Sequence, residues 1–182
     1  SVDLHFQPFE LNPQMAPEGE DVAEHLMRKY GMPREQLEQN RENLRTRGAQ
    51  VGVEFGPRER IHNTFDAHRL LHWAGTLGNR EQLALKHALL AAYQTRGEDV
   101  SDRGVLLDAV ASAGLDASRA AQVLDGGEHA DAVREREKYY LDRGIHGVPA
   151  IIFDERSLIS GGQPVEVFEQ ALRQLAATPV PA

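Results

Sequence analysis

The chain opens in period two. Val2, Leu4 and Phe6 alternate with Asp3, His5 and Gln7, the pattern of a strand with one buried face. Pro8 and Pro13 bracket Phe9-Glu10-Leu11-Asn12, so the strand is expected to run into an extended loop. From about Asp21 the apolar spacing becomes helical: Val22, Leu26 and Tyr30 share a face, Gly31 is the stop and Pro33 opens the next helix. Arg34 to Arg47 is highly charged with few apolar anchors, which predicts a solvated helix ended by Gly48. Ala49 to Phe55 reads as a short extended piece. Ala67, Leu70, Leu71, Ala74 and Leu77 then form one apolar stripe, the clearest helix of the middle region. Asn79 with Gln82 three residues on has the form of a capping box, opening a helix that ends near Arg96.

Further helices are predicted around Val105–Ala113 with a stop at Gly114, from Asp116 to Leu124 before Gly126-Gly127, and from Glu128 to Asp142 before Gly144. There the helical repeat stops. Val148-Pro149-Ala150-Ile151-Ile152-Phe153 is apolar and β-branched, a buried strand entered through a proline. Leu158-Ile159-Ser160 makes a second short strand after a polar turn at Asp154 to Arg156, and the two form a hairpin. Gly161-Gly162-Gln163-Pro164 feeds a last helix with Val165, Phe168, Leu172 and Leu175 on its apolar side. Ala176 to Ala182 reads as a frayed tail. Strand, long helical block, hairpin, helix is the order of a small α/β core carrying a helical insertion.

Composition narrows the chemistry more than the fold. At 182 residues the chain fits one domain, or one core with a large insertion. A net charge of −8 with no clustered Lys/Arg run argues against a nucleic-acid surface. No apolar run approaches the ~20 residues of a membrane span, and the chain reads as a soluble acidic protein. It has no cysteine, which removes disulfides, thiolate zinc sites and a cysteine nucleophile from the chain itself.

Three segments together resemble the DsbA-like family, in its FrnE-type branch. They are Gln7-Pro8-Phe9-Glu10-Leu11-Asn12-Pro13, then Asn63-Thr64-Phe65-Asp66-Ala67-His68-Arg69-Leu70-Leu71, then Gly144-Ile145-His146-Gly147-Val148-Pro149-Ala150-Ile151-Ile152-Phe153 with Ser160-Gly161-Gly162-Gln163-Pro164. Their order, with the helical block between, covers nearly the whole chain. The resemblance implies an α/β fold: a thioredoxin fold with a large all-helical insertion domain, lacking the first βα unit. Residues 1–15 and 145–177 are assigned to the incomplete core, 16–144 to the insertion and 178–182 to a tail.

In that family Val148-Pro149 is the cis-proline loop, whose backbone pairs with an extended substrate beside the reactive dithiol. A cis bond before proline costs only about 0.5–1 kcal/mol. The resemblance therefore implies a thiol–disulfide oxidoreductase, with Gly147, Val148 and Pro149 as the substrate-binding loop and His146, Phe9, Phe65 and His68 as further substrate contacts. The family's Cys-x-x-Cys stands at the start of the first helix, where the helix N-terminus lowers a thiol pKa. That strand and helix are not in this sequence. Roughly 30–40 further residues upstream, the size of a βα unit, are expected to carry the dithiol, and the chain alone is expected to fold poorly and to catalyse no dithiol exchange.

Other features have plainer readings. His68 and His72 stand at i and i+4, but Arg69 occupies the place of a metalloprotease glutamate and no third ligand is apparent, so no metal is assigned. Glu18-Gly19-Glu20-Asp21 reads as solvation and helix capping. Gly161-Gly162 lacks the Lys-Ser/Thr of a phosphate loop, and Trp73 reads as packing. No cofactor is implied. The expected partners are disulfide- or thiol-containing proteins or small molecules, with glutathione in the alternative reading as a kappa-type transferase or 2-hydroxychromene-2-carboxylate isomerase. In that alternative a serine replaces the first cysteine. A third alternative is a non-catalytic peptide-binding module. No nucleic acid or membrane partner is expected, a homodimer is compatible with the sequence, and cytoplasm is the expected compartment.

Overall fold

A computed structural model describes residues 2–177. Contacts divide the chain into two compact units, Ser1–Glu137 and Lys138–Ala182. The first is helical, and its helix ends follow local chemistry. Asp21 accepts a hydrogen bond from the Glu24 N–H to start α1 (Val22–Tyr30), and Gly31, at φ 63°, closes it. Asp102 does the same for α5 (Arg103–Ser112), and Asp116, bonded by two backbone N–H groups, for α6 (Ala117–Gly126).

α2 (Arg34–Gln50) runs through Gly48 instead of stopping there. The glycine serves packing: a Cβ at Gly48 would lie 2.5 Å from the Val53 carbonyl oxygen and 2.6 Å from the Phe55 ring. The left-handed turn comes later, at Gly52 with φ 76°. The region 49–55 forms no strand.

α3 (Phe65–Leu77) and α4 (Asn79–Leu90) form the centre of this unit, and α4 continues as a π-helical turn at Ala91–Thr95. Their apolar sides meet α5 and α6 around Leu70, Leu71, Trp73, Leu85, Leu106, Val110 and Val123. Trp73 is part of this core, as its packing reading requires. α7 (Ala130–Leu141) adds Val133. A minimal ladder joins β1 (Glu20–Asp21) antiparallel to β2 (Arg60–Ile61), with Glu20 opposite Ile61.

The expected strand at Val2 to Phe6 is absent. Alternation makes a strand only where a neighbour completes the ladder, and here the Phe6 backbone is bonded by a side chain. Gln82 Oε1 accepts the Phe6 N–H at 3.0 Å and Gln82 Nε2 donates to the Phe6 carbonyl at 3.1 Å. That same residue overturns the capping-box expectation. Gly78 precedes α4 without a side-chain cap, Asn79 donates to Asp3 Oδ1, and Gln82 turns inward to Phe6 and the Leu71 carbonyl.

The second unit contains β3 (Ala150–Phe153), β4 (Ser157–Ser160) and α8 (Val165–Ala177). The strands pair antiparallel with Ile151 opposite Ile159 and Phe153 opposite Ser157. Asp154 and Glu155 both take positive φ, 47° and 57°, as a type I′ hairpin turn demands. No residue of α8 is buried, and Val165 on its apolar stripe is 75% exposed. The helix extends to Ala177, past the expected start of the tail; residues 178–182 lie outside the described residues. Among the described residues no helix is long and apolar enough to cross a membrane.

Candidate functional site: a loop clamped by four helices and an exposed proline corner

The segment Phe6 to Asn12 has little hydrogen bonding of its own, so the helices must supply it. α4 holds Phe6 through Gln82. α3 holds Phe9, whose backbone is hydrogen-bonded by His68. α7 holds Glu10, whose backbone N–H donates to Glu137 Oε1 at 2.8 Å. α1 holds the far end, where Lys29 Nζ donates to the Leu11 carbonyl at 3.1 Å and to Asn12 Oδ1 at 2.8 Å.

The second family segment supports the same place from below. Asn63 Oδ1 accepts the Phe65 N–H at 2.9 Å and Asn63 Nδ2 donates to the Met15 carbonyl. Arg69 is buried and donates to Asp66, to the Val123 and Leu124 carbonyls at the end of α6 and to the Glu128 carbonyl. The Phe65 ring lies 4.2 Å from the Arg134 guanidinium, a cation–π contact. Phe9, Phe65 and His68 thus belong to one neighbourhood, built where the opening segment crosses α3 and α7.

Burial sets the charges there. His68 is held down to about 4, first by desolvation and then by the Lys86 charge, against the pull of its bond to the Phe9 backbone. It keeps a little exposed surface but is densely surrounded by protein, and its ring is neutral at pH 7. Lys86, whose ammonium stands 5.7 Å from the Phe6 ring centroid, is lowered by desolvation. Glu10 is pushed up to about 7, chiefly by burial and then by the Glu137 charge, with Arg134 opposing. Burial raises Glu137 as well, while its bonds from Glu10 and the nearby Arg134 work the other way. Both carboxyl groups are thus held above the ordinary carboxylate range, with burial the leading cause for each.

The other predicted residues lie in the second unit. The Val148–Pro149 peptide bond is cis. Gly161 N–H donates to the Pro149 carbonyl at 2.8 Å, closing the mouth of the hairpin. Val148 is half exposed, Pro149 and His146 are exposed and Gly147 is partly buried. Among the described residues no hydrogen bond occupies the Val148 backbone, which stands two residues before the first ladder pair.

A DsbA-like thioredoxin domain model matches residues 1–173. The chain belongs to the DsbA-like thioredoxin family. Its fold is accordingly the DsbA-like thioredoxin fold, mostly helical, with the helical block set between parts of the core. Among solved structures this DsbA-like chain is similar to a probable DsbA oxidoreductase from Streptomyces coelicolor. The two are 36% identical with a TM-score of 0.86, over 96% of this chain and 75% of that one. No curated protein matches it.

Sequence reasoning missed several residues of the DsbA-like neighbourhood. Gln82 was assigned to a cap, and Lys86, Arg134 and Glu137 carried no signal on their own helices. Glu10 lies inside the Gln7–Pro13 segment, where nothing in the sequence gives it a role. Its partner is 127 residues away, and only the crossing of the opening segment over α7 joins them. Of the paired histidines, His72 has its Nδ1 3.0 Å from Nδ1 of His129, and His68 is bonded to the Phe9 backbone. The acidic run before α1 divides its work. Asp21 caps the helix, while Glu20 binds His25 at 2.6 Å and Arg28 at 2.5 Å.

Proposed function

We propose that this chain is the substrate-docking and helical-insertion part of a thiol–disulfide oxidoreductase of the FrnE type. Its redox dithiol is contributed by protein outside this sequence. The observation that carries the reading is the Val148–Pro149 corner, where Val148 is half exposed and its backbone is unbonded just before the ladder. An extended peptide needs such a free N–H and C=O to add a short run of strand-like hydrogen bonds. Gly147 keeps the approach open, since nothing lies within 4 Å of where its Cβ would stand, and exposed His146 is the adjacent polar contact. Phe9, Phe65 and His68 are proposed as substrate contacts on the helical unit.

The chemistry attached to this reading is ordinary exchange. A thiolate attacks a substrate disulfide and forms a mixed disulfide with release of one substrate thiolate. A second thiol then displaces the other substrate sulfur and leaves an enzyme disulfide. Both sulfurs must come from elsewhere, because this chain has none in cysteine form. The proposed core joins residues 1–15 and 145–177 with the dithiol-bearing βα unit, and the proposed compartment is the cytoplasm.

The test is insulin reduction by the full-length protein, beside the 182-residue chain. Full-length turnover with none from the short chain supports the reading. Retention on immobilised glutathione without insulin reduction would move the chain to the glutathione-dependent branch, and neither activity would leave a peptide-binding module.

A further inference from the structure

The histidine pair that α3 suggests by spacing is completed from another element. His68 turns to the Phe9 backbone. The Nδ1 atoms of His72 and His129 lie 3.0 Å apart, with ring centroids 5.0 Å apart and ring planes at 46°. One Nδ1–H donates to the other Nδ1 in that arrangement. Both side chains are half-buried, so solvent reaches the pair.

We propose that His72 and His129 form a two-histidine site for a divalent transition-metal ion, copper(II) ahead of nickel(II), held through both Nδ1 atoms.

The spacing selects the metal. With metal–nitrogen bonds of about 2.0–2.1 Å, nitrogens 3.0 Å apart subtend about 95° at the ion. That is the right-angled pair of positions in tetragonal copper(II) or octahedral nickel(II). Tetrahedral zinc would need about 3.3–3.4 Å between the nitrogens. Among the described residues no cluster of three or more ligating side chains forms, so water fills the remaining positions. Binding exchanges two metal–water bonds for two metal–nitrogen bonds. The proton between the rings moves through solvent to Nε2 of the imidazole that carried it, and both Nδ1 lone pairs are then free.

The scaffold fixes both rings in advance. His72 stands on α3 between Leu71 and Trp73, both in the core. His129 takes a left-handed φ of 62°, uncommon for a residue with a side chain. Its carbonyl accepts the Val133 N–H at 3.0 Å to begin α7, and Val133 is fully buried. Arg69, one turn before His72, donates to the Glu128 carbonyl at 2.9 Å and so ties the turn carrying His129 to α3.

Charge is compatible with a cation there. Arg119 and Arg69 face His129, but Glu128 binds Arg119 at 2.8 and 2.6 Å and Asp66 binds Arg69 at 2.7 Å. Arg136 on α7 faces His72 and weighs against the ion. Desolvation leads in holding both rings below the ordinary histidine value, which leaves them in the neutral form that a metal binds.

The test titrates Cu(II) into the full-length protein with its thiols alkylated, read by calorimetry and electron paramagnetic resonance. One equivalent should bind with splitting from two nitrogens. In wild-type NMR spectra it should broaden the ring signals of His72 and His129 before those of the other histidines. His72→Gln and His129→Gln should each weaken binding at least tenfold and abolish the two-nitrogen pattern. His5→Gln and His87→Gln, at exposed positions, should change neither. A wild-type spectrum without two nitrogens, first broadening elsewhere, or full affinity in either pair variant overturns the site. So does loss of binding in the exposed-histidine variants, the mark of adventitious copper. Because the wild-type spectra alone can refute it, a misfolded variant does not shield the idea.

Discussion

The two units solve the burial problem in opposite ways. The helical unit encloses a core: Leu70, Leu85, Leu106, Val110 and Val123 are essentially inaccessible. The hairpin unit has no comparably buried side chain among its described residues, and Val148, Ile152, Leu158, Val165 and Leu172 remain substantially exposed. Both have amphipathic elements. Helices α3 to α6 can cover one another, because four apolar stripes close a bundle. A two-stranded hairpin and one helix present more apolar surface than they can cover, and a lone hairpin is marginal in water. The comparison teaches that the buried core resides in the helical unit, while the cis Val148–Pro149 corner sits on elements that bury no side chain fully among the described residues.

The largest test is truncation in the core. Leu70→Ala or Leu85→Ala should destabilise the helical unit by about 2–5 kcal/mol. The readout is denaturant unfolding followed by fluorescence of Trp73, the sole tryptophan and a core residue. Leu172→Ala, on the exposed face of α8, should cost under about 0.5 kcal/mol in this chain. A cost above 2 kcal/mol there would mean the hairpin unit packs as tightly as the other, and the contrast would collapse.

A second test uses pH. Free histidine takes its proton near 6.5, whereas folded His68 does so only near 4. The unfolded chain therefore binds the proton first, and stability present above pH 6.5 drains away as pH falls toward 4. Up to roughly 3 kcal/mol is at stake. His68→Gln should flatten this slope in acid-unfolding curves monitored by Trp73. An unchanged slope would locate the acid sensitivity elsewhere.

Smaller again is the loss of a cap. Asp116→Ala leaves the Ser118 and Arg119 N–H groups without their acceptor and should cost about 1 kcal/mol, seen as a lowered Tm. The smallest expected effect is a gain. Glu155 holds φ 57° in the hairpin turn, a conformation costing a side-chain-bearing residue about 1 kcal/mol. Glu155→Gly should slow amide exchange at Ile151 and Ile159 severalfold. Faster exchange would show that the turn depends on the glutamate itself.

Much of the helical unit could be read directly from the chain, because its signals are local. Asp21, Asp102 and Asp116 cap helices that follow them by one residue, and Gly31 closes one with a left-handed turn. The stripe on Ala67, Leu70, Leu71 and Ala74 is buried as its spacing requires. The hairpin was equally legible, since β-branched residues flank a polar turn. Where reading failed, a distant group had taken over a local signal. Gln82 fits a capping box by spacing, yet its amide is engaged by Phe6, 76 residues earlier. Gly48 looked like a stop and is instead a site of close approach.

Sequence alone settled the family, the helical character of the long middle block and the absence of sulfur nucleophiles, because recurring segments, spacing and composition are properties of the chain itself. Tertiary structure alone decided what became of the opening segment. Alternating residues that would suit a strand are held as a loop by Gln82, His68, Glu137 and Lys29, four side chains from four helices. A backbone takes whichever partners the fold brings within reach, and no local pattern encodes a hydrogen bond to a residue 127 positions away.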